Sequence, residues 1–172
     1  MRYVIADIHG CYEEYKELMK KINLSEEDHL YVLGDALDRG PEPMKLSYDE
    51  RQAVCDFLEN ANVYDEVLVN DKRYVLVHAG ISNFSEEKTL DEYDVLDFIC
   101  ERTDYGRRYY QESNTYVITG HTPTMCIDSD ALPEVYIGNG HIALDCGCIY
   151  GGRLAAYCVE TDIVIYVKAK NV

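Results

Sequence analysis

Gly34-Asp35-Ala36-Leu37-Asp38-Arg39-Gly40 follows the apolar run Leu30-Tyr31-Val32-Leu33, so two carboxylates and a guanidinium fall within one short turn. A short apolar run that ends at glycine is typical of a buried strand. Such a strand places Asp35 at its carboxyl tip, the edge where open α/β sheets usually build their sites. The sequence therefore predicts a site at this tip, with Asp35 as a metal ligand and Arg39 as a phosphate ligand.

A second motif of the same kind, Asp7-Ile8-His9-Gly10, follows the apolar run Tyr3-Val4-Ile5-Ala6. The stretch from Cys11 to Ile22 between the motifs has the spacing of a helix packed on a sheet. Its apolar stripe at i, i+3, i+4 and i+7 is Tyr15, Leu18, Met19 and Ile22. A strand-helix-strand unit usually makes its strands parallel and adjacent, so Asp7, His9 and Asp35 are expected to converge.

The remaining sequence predicts two more helices and six more strands within one domain, residues 1–172. The helices start at capping boxes. One runs from Tyr48 to about Asn60 after a stiff Pro41-Glu42-Pro43 turn, and the other from Thr89 to about Glu101. Their expected buried faces are Val54, Phe57, Leu58 and Ala61, and Tyr93, Leu96, Ile99 and Cys100. The expected strands are 63–69, 73–77, 116–119, 142–145, 153–160 and 163–168, joined by turns at Asn70-Asp71 and Thr161-Asp162. Residues 103–114 are expected to form a loop.

Two further motifs, His78-Ala79-Gly80 and Gly120-His121-Thr122-Pro123, complete an ordered set of four. Together the four resemble the calcineurin-like metallophosphoesterase family. Within it, the chain is most similar to bacterial serine/threonine protein phosphatases and symmetrical diadenosine tetraphosphate hydrolases. The resemblance implies an α/β fold in which a two-sheet sandwich is flanked by helices (αββα).

The resemblance also implies the site residues. Asp7 and His9 would bind a first metal, Asp35 would bridge two metals, and His78 and His121 would bind the second. This mixed set of ligands suits manganese, iron or zinc. Two divalent ions would clamp the phosphate and lower the pKa of a bound water, so that a metal-bound hydroxide attacks a phosphomonoester.

Arg39 and Arg102 would hold the phosphoryl oxygens, a task for which the planar guanidinium is well shaped. Arg107 and Arg108 compete with Arg102 for the second position. Asp38 is either a catalytic residue or a simple turn cap. His29 and His141 precede strands without any motif and are expected to be structural.

The chain departs from the family pattern because no G-N-H-D/E motif occurs between Gly40 and His78. In the family, the Asn of that motif binds the second metal and its His protonates the leaving oxygen, steadied by the residue that corresponds to Asp38. The resemblance therefore implies a missing strand-helix unit, a weakened second metal site and slower turnover of poor leaving groups. Gly138-Asn139-Gly140-His141 lies after the G-H-T-P motif, so we interpret it as a turn.

Composition limits the partners. A formal charge of −16 disfavours nucleic acid, and no apolar stretch approaches the length of a membrane span. The first strand begins at Tyr3, which leaves no room for a signal peptide and predicts a cytoplasmic location. The seven cysteines include no C-x-x-C pair, and Cys146-Gly147-Cys148 is interpreted as a glycine turn in preference to a metal or redox site.

The leading functional prediction is a phosphatase of the serine/threonine type that acts on a phosphorylated protein or a small phosphoester. The alternatives are hydrolysis of dinucleoside polyphosphates, which the same chemistry permits, and an impaired member with a binding or regulatory role. A strand edge exposed by the missing unit invites pairing with a second chain, so the chain is predicted either to form a homodimer or to be poorly stable.

Overall fold

Two mixed sheets face each other in the computed structural model, which describes residues 1–39, 47–127 and 132–170. One sheet has four strands in the order β2-β1-β8-β9, and the other has five in the order β3-β4-β5-β7-β6. The strands are β1 (Arg2–Ile5), β2 (His29–Val32), β3 (Tyr64–Val69), β4 (Lys72–Val77), β5 (Thr115–Thr119), β6 (Tyr136–Gly138), β7 (His141–Ala143), β8 (Arg153–Cys158) and β9 (Ile163–Lys168). The helices are α1 (Tyr12–Ile22), α2 (Tyr48–Glu59) and α3 (Val95–Ile99).

The core has three parts, which correspond to the layers of the fold. Apolar side chains of both sheets fill the space between them, including Val4, Leu76, Ile118 and Tyr157. Helix α1 covers the outer face of the four-stranded sheet, and the segment 81–110 covers the outer face of the five-stranded sheet. This layering confirms the predicted sandwich of two sheets with flanking helices.

Parallel pairing of β1 and β2 confirms the strand-helix-strand unit expected around the first two motifs. In α1, Leu18 and Ile22 are buried, while Tyr15 and Met19 are partly buried against the same cluster. The expected stripe therefore does face the sheet. The ends of β1 and β2 lie at the same edge, as a parallel pair requires.

Two hairpins contain turns whose residues tolerate a left-handed backbone. Asn70 and Asp71 join β3 to β4 with φ of 51° and 60°, as predicted. Asn139 and Gly140 join β6 to β7 with φ of 50° and 69°, which confirms that this stretch is a turn. Asn, Asp and Gly adopt this conformation at the lowest cost, which explains both turns.

The predicted burial of the second helix is wrong. Its capping box between Ser47 and Glu50 forms, but none of its residues is buried. Phe57 is 74% exposed and Leu58 is 48% exposed. A cleft of about 970 Å³ separates this helix from β2 and β3, so the apolar face lines an opening instead of a packed core. The preceding Pro41-Glu42-Pro43 turn lies outside the described residues.

The predicted helix from Thr89 to Glu101 is also wrong. Thr89 caps a single 3₁₀ turn at Leu90–Glu92, Tyr93 then adopts an extended backbone, and Asp94 caps the five-residue α3. Because two capping boxes start two turns, the helical phase resets between them. Tyr93 and Phe98 are consequently buried, whereas Leu96, Ile99 and Cys100 are exposed.

The loop predicted at residues 103–114 is irregular, and it buries Tyr109 and Tyr110 against the five-stranded sheet. Strand β6 was absent from the prediction. Within the described ranges, every helix is too short or too polar to cross a bilayer.

Candidate metal centre

The ends of four strands bring the predicted ligands to one place. Asp7 and His9 follow β1, Asp35 follows β2, His78 follows β4 and His121 follows β5. Both β1–β2 and β4–β5 are parallel pairs, so within each sheet these ends point the same way. The two sheets meet at this edge, and each contributes a share of the ligands.

Hydrogen bonds fasten the four loops to one another. The backbone N–H of His9 donates to the carbonyl of Asp35 at 2.7 Å, and that of Gly120 donates to the carbonyl of His78 at 2.8 Å. The N–H of His121 donates to both carboxylate oxygens of Asp7, each at 2.9 Å. The last contact joins the two sheets, because Asp7 belongs to one sheet and His121 to the other.

Four of the five predicted ligands have a left-handed backbone, although none of them is glycine. Their φ angles are 52° at Asp7, 48° at His9, 42° at Asp35 and 65° at His121. A left-handed backbone at such a residue costs on the order of 1 to 3 kcal/mol, and such residues concentrate at functional sites. The surrounding hydrogen bonds hold the backbone in this conformation.

Asp35 lies between two groups of ligand atoms. One group comprises Asp7, His9 and Asp35, and the other comprises Asp35, His78 and His121, with the ligand atoms of each group within 4.8 Å of one another. The distance from His9 Nε2 to Asp35 Oδ2 is 3.5 Å, and that from His78 Nε2 to Asp35 Oδ1 is 3.7 Å. Each carboxylate oxygen of Asp35 therefore faces a different group.

Glycines at two positions let the ligands approach this closely. A Cβ at Gly34 would collide with Nδ1 of His78, and a Cβ at Gly120 would collide with a carboxylate oxygen of Asp7. Gly34 also has φ of 139°, which an L side chain rarely adopts. Both glycines belong to the motifs that the sequence singles out.

Burial and crowding shape the charges of the site. Burial raises the pKa of Asp7 well above its usual range, and the carboxylate of Asp145 raises it further. Burial lowers the pKa of His78 and of His121, and at His121 the neighbouring His78 and Arg102 lower it further. The two imidazoles are therefore neutral at pH 7, with ring nitrogens free to bind a cation.

These features fit the binding of divalent cations. Asp7 is 1% exposed and makes no ion pair with Lys or Arg among the described residues, and such an arrangement is costly unless a cation neutralises the carboxylate. The Nε2 of His78 lies 3.1 Å from Nδ1 of His121, so two ring nitrogens converge on the same space. A carboxylate shared between two mixed Asp/His groups suits metals that bind both oxygen and nitrogen.

The two predicted arginines lie at the rim of this site. Arg39 is half exposed and has Nη2 3.7 Å from Oδ2 of Asp35. Arg102 is exposed, and its Nη1 lies 3.5 Å from the hydroxyl of Thr122, the residue after His121. The guanidinium groups of Arg107 and Arg108 instead donate to backbone carbonyls, of Phe84 and of Tyr110 and Glu112. The geometry thus favours Arg102 for a role at the site.

The sequence profile of the calcineurin-like phosphoesterases matches residues 2–68 of the chain. This stretch contains the first two motifs, and so Asp7, His9 and Asp35. The matched stretch is therefore similar in sequence to the calcineurin-like phosphoesterases.

Symmetrical bis(5'-nucleosyl)-tetraphosphatases are among the proteins to which this chain is similar. The protein from Buchnera aphidicola is 35% identical over 95 residues, which are 53% of this chain and 31% of that protein. The protein from Erwinia tasmaniensis is 30% identical over 108 residues, which are 62% of this chain and 37% of that protein. The matched stretches therefore span only about a third of these relatives.

Two solved structures share the fold of this chain. One is described as a putative diadenosine tetraphosphatase, with a TM-score of 0.64, 18% identity, and coverage of 99% of this chain and 94% of that chain. The other is a mutant of a cold-active protein tyrosine phosphatase, with a TM-score of 0.52, 16% identity, and coverage of 98% and 80%. At these identities the likeness concerns the fold alone.

Asp38 contacts one of the predicted metal ligands, because Nδ1–H of His9 donates to its Oδ1 at 2.7 Å. The other carboxylate oxygen accepts from Nε of Arg39 at 2.9 Å. A carboxylate on Nδ1 leaves Nε2 unprotonated and fixes the orientation of the ring, which is the usual outer-shell arrangement of a metal-binding histidine. Asp38 thus contacts both His9 and Arg39, and does more than cap a turn.

Sequence reasoning overlooked Asp145 and Tyr150. Asp145 follows β7, is 4% exposed, and accepts a hydrogen bond from the N–H of Gly147 at 2.9 Å. Burial raises its pKa, and Asp35 adds to the effect. The hydroxyl of Tyr150 accepts from Nη1 of Arg39 at 3.3 Å. The position of Asp145 at a strand end, like that of Asp7, was a usable signal, whereas no pattern in the sequence pairs Tyr150 with Arg39.

Proposed function

We propose that this chain is a metal-dependent phosphoesterase that hydrolyses dinucleoside polyphosphates. The observation that carries the proposal is the position of Asp35 between two Asp/His ligand groups, with Arg39 and Arg102 at the rim. The names of the relatives support this substrate class over the phosphorylated proteins that the sequence placed first. Metal-dependent hydrolysis of phosphate esters is the chemistry that such a site performs best.

Each residue has a part in this proposal. Asp7 and His9 would hold one ion, His78 and His121 the other, and Asp35 both. Bound there, divalent ions would supply Lewis-acid chemistry by neutralising phosphoryl charge and making water more acidic. Arg39 and Arg102 would bind the phosphoryl oxygens and orient them toward Asp35, through forked N–H donors that match the geometry of phosphate.

The described residues offer no spare histidine that could act as an acid catalyst at the site, which also favours a dinucleoside polyphosphate. All five histidines lie in the described ranges, and the three near Asp35 are the proposed ligands. His141 is buried and bonded to Thr119, and His29 lies at the start of β2. A serine alkoxide needs a proton to leave, whereas a nucleoside diphosphate leaves as a stable anion. General acid catalysis typically raises a rate by about 10² to 10⁴-fold. Its loss should therefore slow the hydrolysis of phosphoserine more than the hydrolysis of a dinucleoside polyphosphate.

The test measures turnover of diadenosine tetraphosphate, a phosphoserine peptide and p-nitrophenyl phosphate by metal-stripped protein, with and without manganese. We expect manganese-dependent turnover in the order dinucleotide, aryl phosphate, peptide. Asp35→Asn should lower the manganese-dependent turnover by at least about a hundredfold, which is more than the loss of an outer-shell partner of a metal ligand typically costs. Asp56→Asn makes the same change on exposed α2 and is the matched control. Preference for the peptide would return the protein phosphatase hypothesis to first place.

An impaired member that only binds metal or phosphate is the remaining alternative, motivated by the absent Asn and His. This alternative is consistent with a weak second metal site. Among the described residues, Asp35 is the one carboxylate grouped with His78 and His121. Calorimetric titration with manganese would then show one tight ion and one weak ion. Metal binding without turnover of any of the three substrates would support this alternative.

We also propose a homodimer formed through β2. This strand is at the edge of its sheet and pairs on its outer side with no described strand, and Val32 is 45% exposed. Unpaired N–H and C=O groups at an edge invite a second strand. Light scattering that finds a monomer at all concentrations would refute this proposal. Manganese as the metal, the single domain and the cytoplasmic location stay predictions.

A further inference from the structure

Tyr150 is an exposed aromatic residue beside the metal centre. Its hydroxyl accepts a hydrogen bond from Nη1 of Arg39 at 3.3 Å, and Nη2 of the same guanidinium lies 3.7 Å from Oδ2 of Asp35. One arginine therefore connects Tyr150 with the carboxylate that the two ligand groups share. The tyrosine is 53% exposed, so its ring meets solvent next to the arginine to which we assign phosphate binding.

The backbone of Tyr150 is held in a tight turn. Cys148–Tyr150 forms one 3₁₀ turn, which lies between Gly147 with φ of 66° and Gly151 with φ of 88°. The N–H of Tyr150 donates to the carbonyl of Gly147 at 2.9 Å, and that of Gly151 donates to the carbonyl of Cys148 at 3.1 Å. Glycine adopts such positive φ angles at little cost. Because the backbone is already fixed, less conformational freedom is lost when a ligand packs on this side chain.

The described residues leave the faces of the Tyr150 ring without a stacking partner. Arg39 contacts the edge of the ring, because the hydroxyl oxygen lies in the ring plane. Tyr150 takes part in none of the aromatic or cation–π pairs that the described residues form. By contrast, Tyr74 stacks on Tyr116 with ring centroids 5.5 Å apart. The edge of the Tyr150 ring is thus held while its faces are available to a ligand.

We propose that Tyr150 stacks on a nucleobase of the substrate whose phosphate Arg39 binds. This inference rests on the proposed function and adds to it a residue that recognises the nucleoside. Every nucleobase has a flat π face that packs on aromatic side chains. Only a ribose separates the base of a nucleotide from its first phosphate. A nucleotide held by Arg39 near Asp35 therefore carries its base to the side of the site where Tyr150 lies.

The hydroxyl of Tyr150 offers a competing role, which is to position Arg39. A residue that only positions the guanidinium affects every phosphate ligand alike, whereas a stacking residue affects only ligands that carry a base. Two substitutions separate these roles. Tyr150→Phe removes the hydroxyl and keeps the ring, and Tyr150→Ala removes both. Tyr48→Ala is the matched control, because Tyr48 is a tyrosine at the start of α2 that is 73% exposed.

The first experiment measures by calorimetry how the full chain binds ADP and methyl diphosphate in the presence of manganese. The two ligands carry the same esterified diphosphate, and only ADP has a base. We expect the wild type to bind ADP more tightly. Tyr150→Ala should lower the affinity for ADP by on the order of tenfold, and that for methyl diphosphate by less. Tyr150→Phe and Tyr48→Ala should keep the ratio of the two affinities at its wild-type value.

Three outcomes of this titration would overturn the inference. The wild type could bind the two diphosphates equally, Tyr150→Ala could leave the ratio of affinities unchanged, or Tyr150→Phe could lower that ratio as far as Tyr150→Ala does. An equal loss of both ligands in the two variants would assign Tyr150 to the positioning of Arg39 alone.

The second experiment compares kcat/KM for diadenosine tetraphosphate with that for inorganic tripolyphosphate, which has no base. Tyr150→Ala should lower the value for the dinucleotide by on the order of tenfold and that for tripolyphosphate by less. Equal decreases would contradict stacking. The titration requires no turnover, so tight binding of ADP without hydrolysis of the dinucleotide would refute the proposed function alone. Hydrolysis of the dinucleotide with an unchanged ratio of affinities in Tyr150→Ala would refute the stacking role alone.

Discussion

The two sides of strand β2 differ in how tightly they are held. At its carboxyl end, Asp35 lies among strand-end loops joined by backbone hydrogen bonds as short as 2.7 Å, with Asp7 and His9 almost fully buried. Along its outer edge, a cleft of about 970 Å³ separates it from α2, none of whose residues is buried. Residues 2–68, which match the family profile, thus include both the well-packed loop of Asp35 and the helix that lines the open cleft.

This difference shows which parts of the fold position the predicted ligands. The ligand loops come from both sheets, and Asp7 joins them by accepting the N–H of His121. Every predicted ligand follows a strand of the packed core, so α2 is not needed to position any of them. The apolar face of α2 has no such partner within the described residues. The predictions below compare the two sides by making matched changes on each.

The largest expected difference concerns two phenylalanines. Phe98 is 1% exposed and its carbonyl accepts the N–H of Ala79, next to His78, whereas Phe57 on α2 is 74% exposed. Phe98→Ala should lower the free energy of unfolding by about 3 to 5 kcal/mol, because it leaves a cavity. Phe57→Ala should change it by less than about 0.5 kcal/mol. Urea unfolding of dilute protein measures both, and equal losses would mean that α2 packs on the body in solution.

A smaller difference concerns pH. His141 is 1% exposed, and burial lowers its pKa to about 4 from its ordinary value of 6.5. Between these values the unfolded chain binds a proton that the folded chain does not, so stability falls as pH decreases from 6.5 toward 4. The loss should approach about 3 kcal/mol, at 1.36 kcal/mol for each pKa unit.

The histidine prediction is checked by thermal unfolding at pH 7.5 and pH 5. The decrease between the two conditions should shrink in His141→Gln, which keeps a polar group near Thr119. His29→Gln changes an exposed histidine at the start of β2 and should leave the decrease as it is in the wild type. The same decrease in all three proteins would contradict the assignment of this pH dependence to His141.

The smallest expected difference concerns Asp38, which is 45% exposed yet bonds to buried His9. Asp38→Asn should weaken manganese binding by about 10 to 100-fold, because the carboxylate no longer fixes the proton on Nδ1. Asp56→Asn, on α2, should bind manganese as the wild type does. Calorimetric titration measures both, and an unchanged affinity in Asp38→Asn would show that the turn around Asp38 serves only Arg39.

Local patterns in the sequence predicted the elements that carry the site. Apolar runs ending in Asp or His identified the strands, and the spacing of Leu18 and Ile22 identified the helix between the first two. The Asn70-Asp71 turn followed from residues that tolerate positive φ. These features depend on neighbours in the chain, so a single sequence reveals them.

Features that depend on distant packing were decided by the tertiary structure alone. A helical stripe such as Val54, Phe57 and Leu58 shows that a helix can bury one face, but burial requires a surface in the right place, and β2 lies across a cleft. The contacts of Asp38 with His9 and of Tyr150 with Arg39 join residues far apart in sequence. Hydrophobic periodicity and residue propensity report on neighbours within one or two turns of the chain. These contacts instead form when the loops at the strand ends come together in the folded protein.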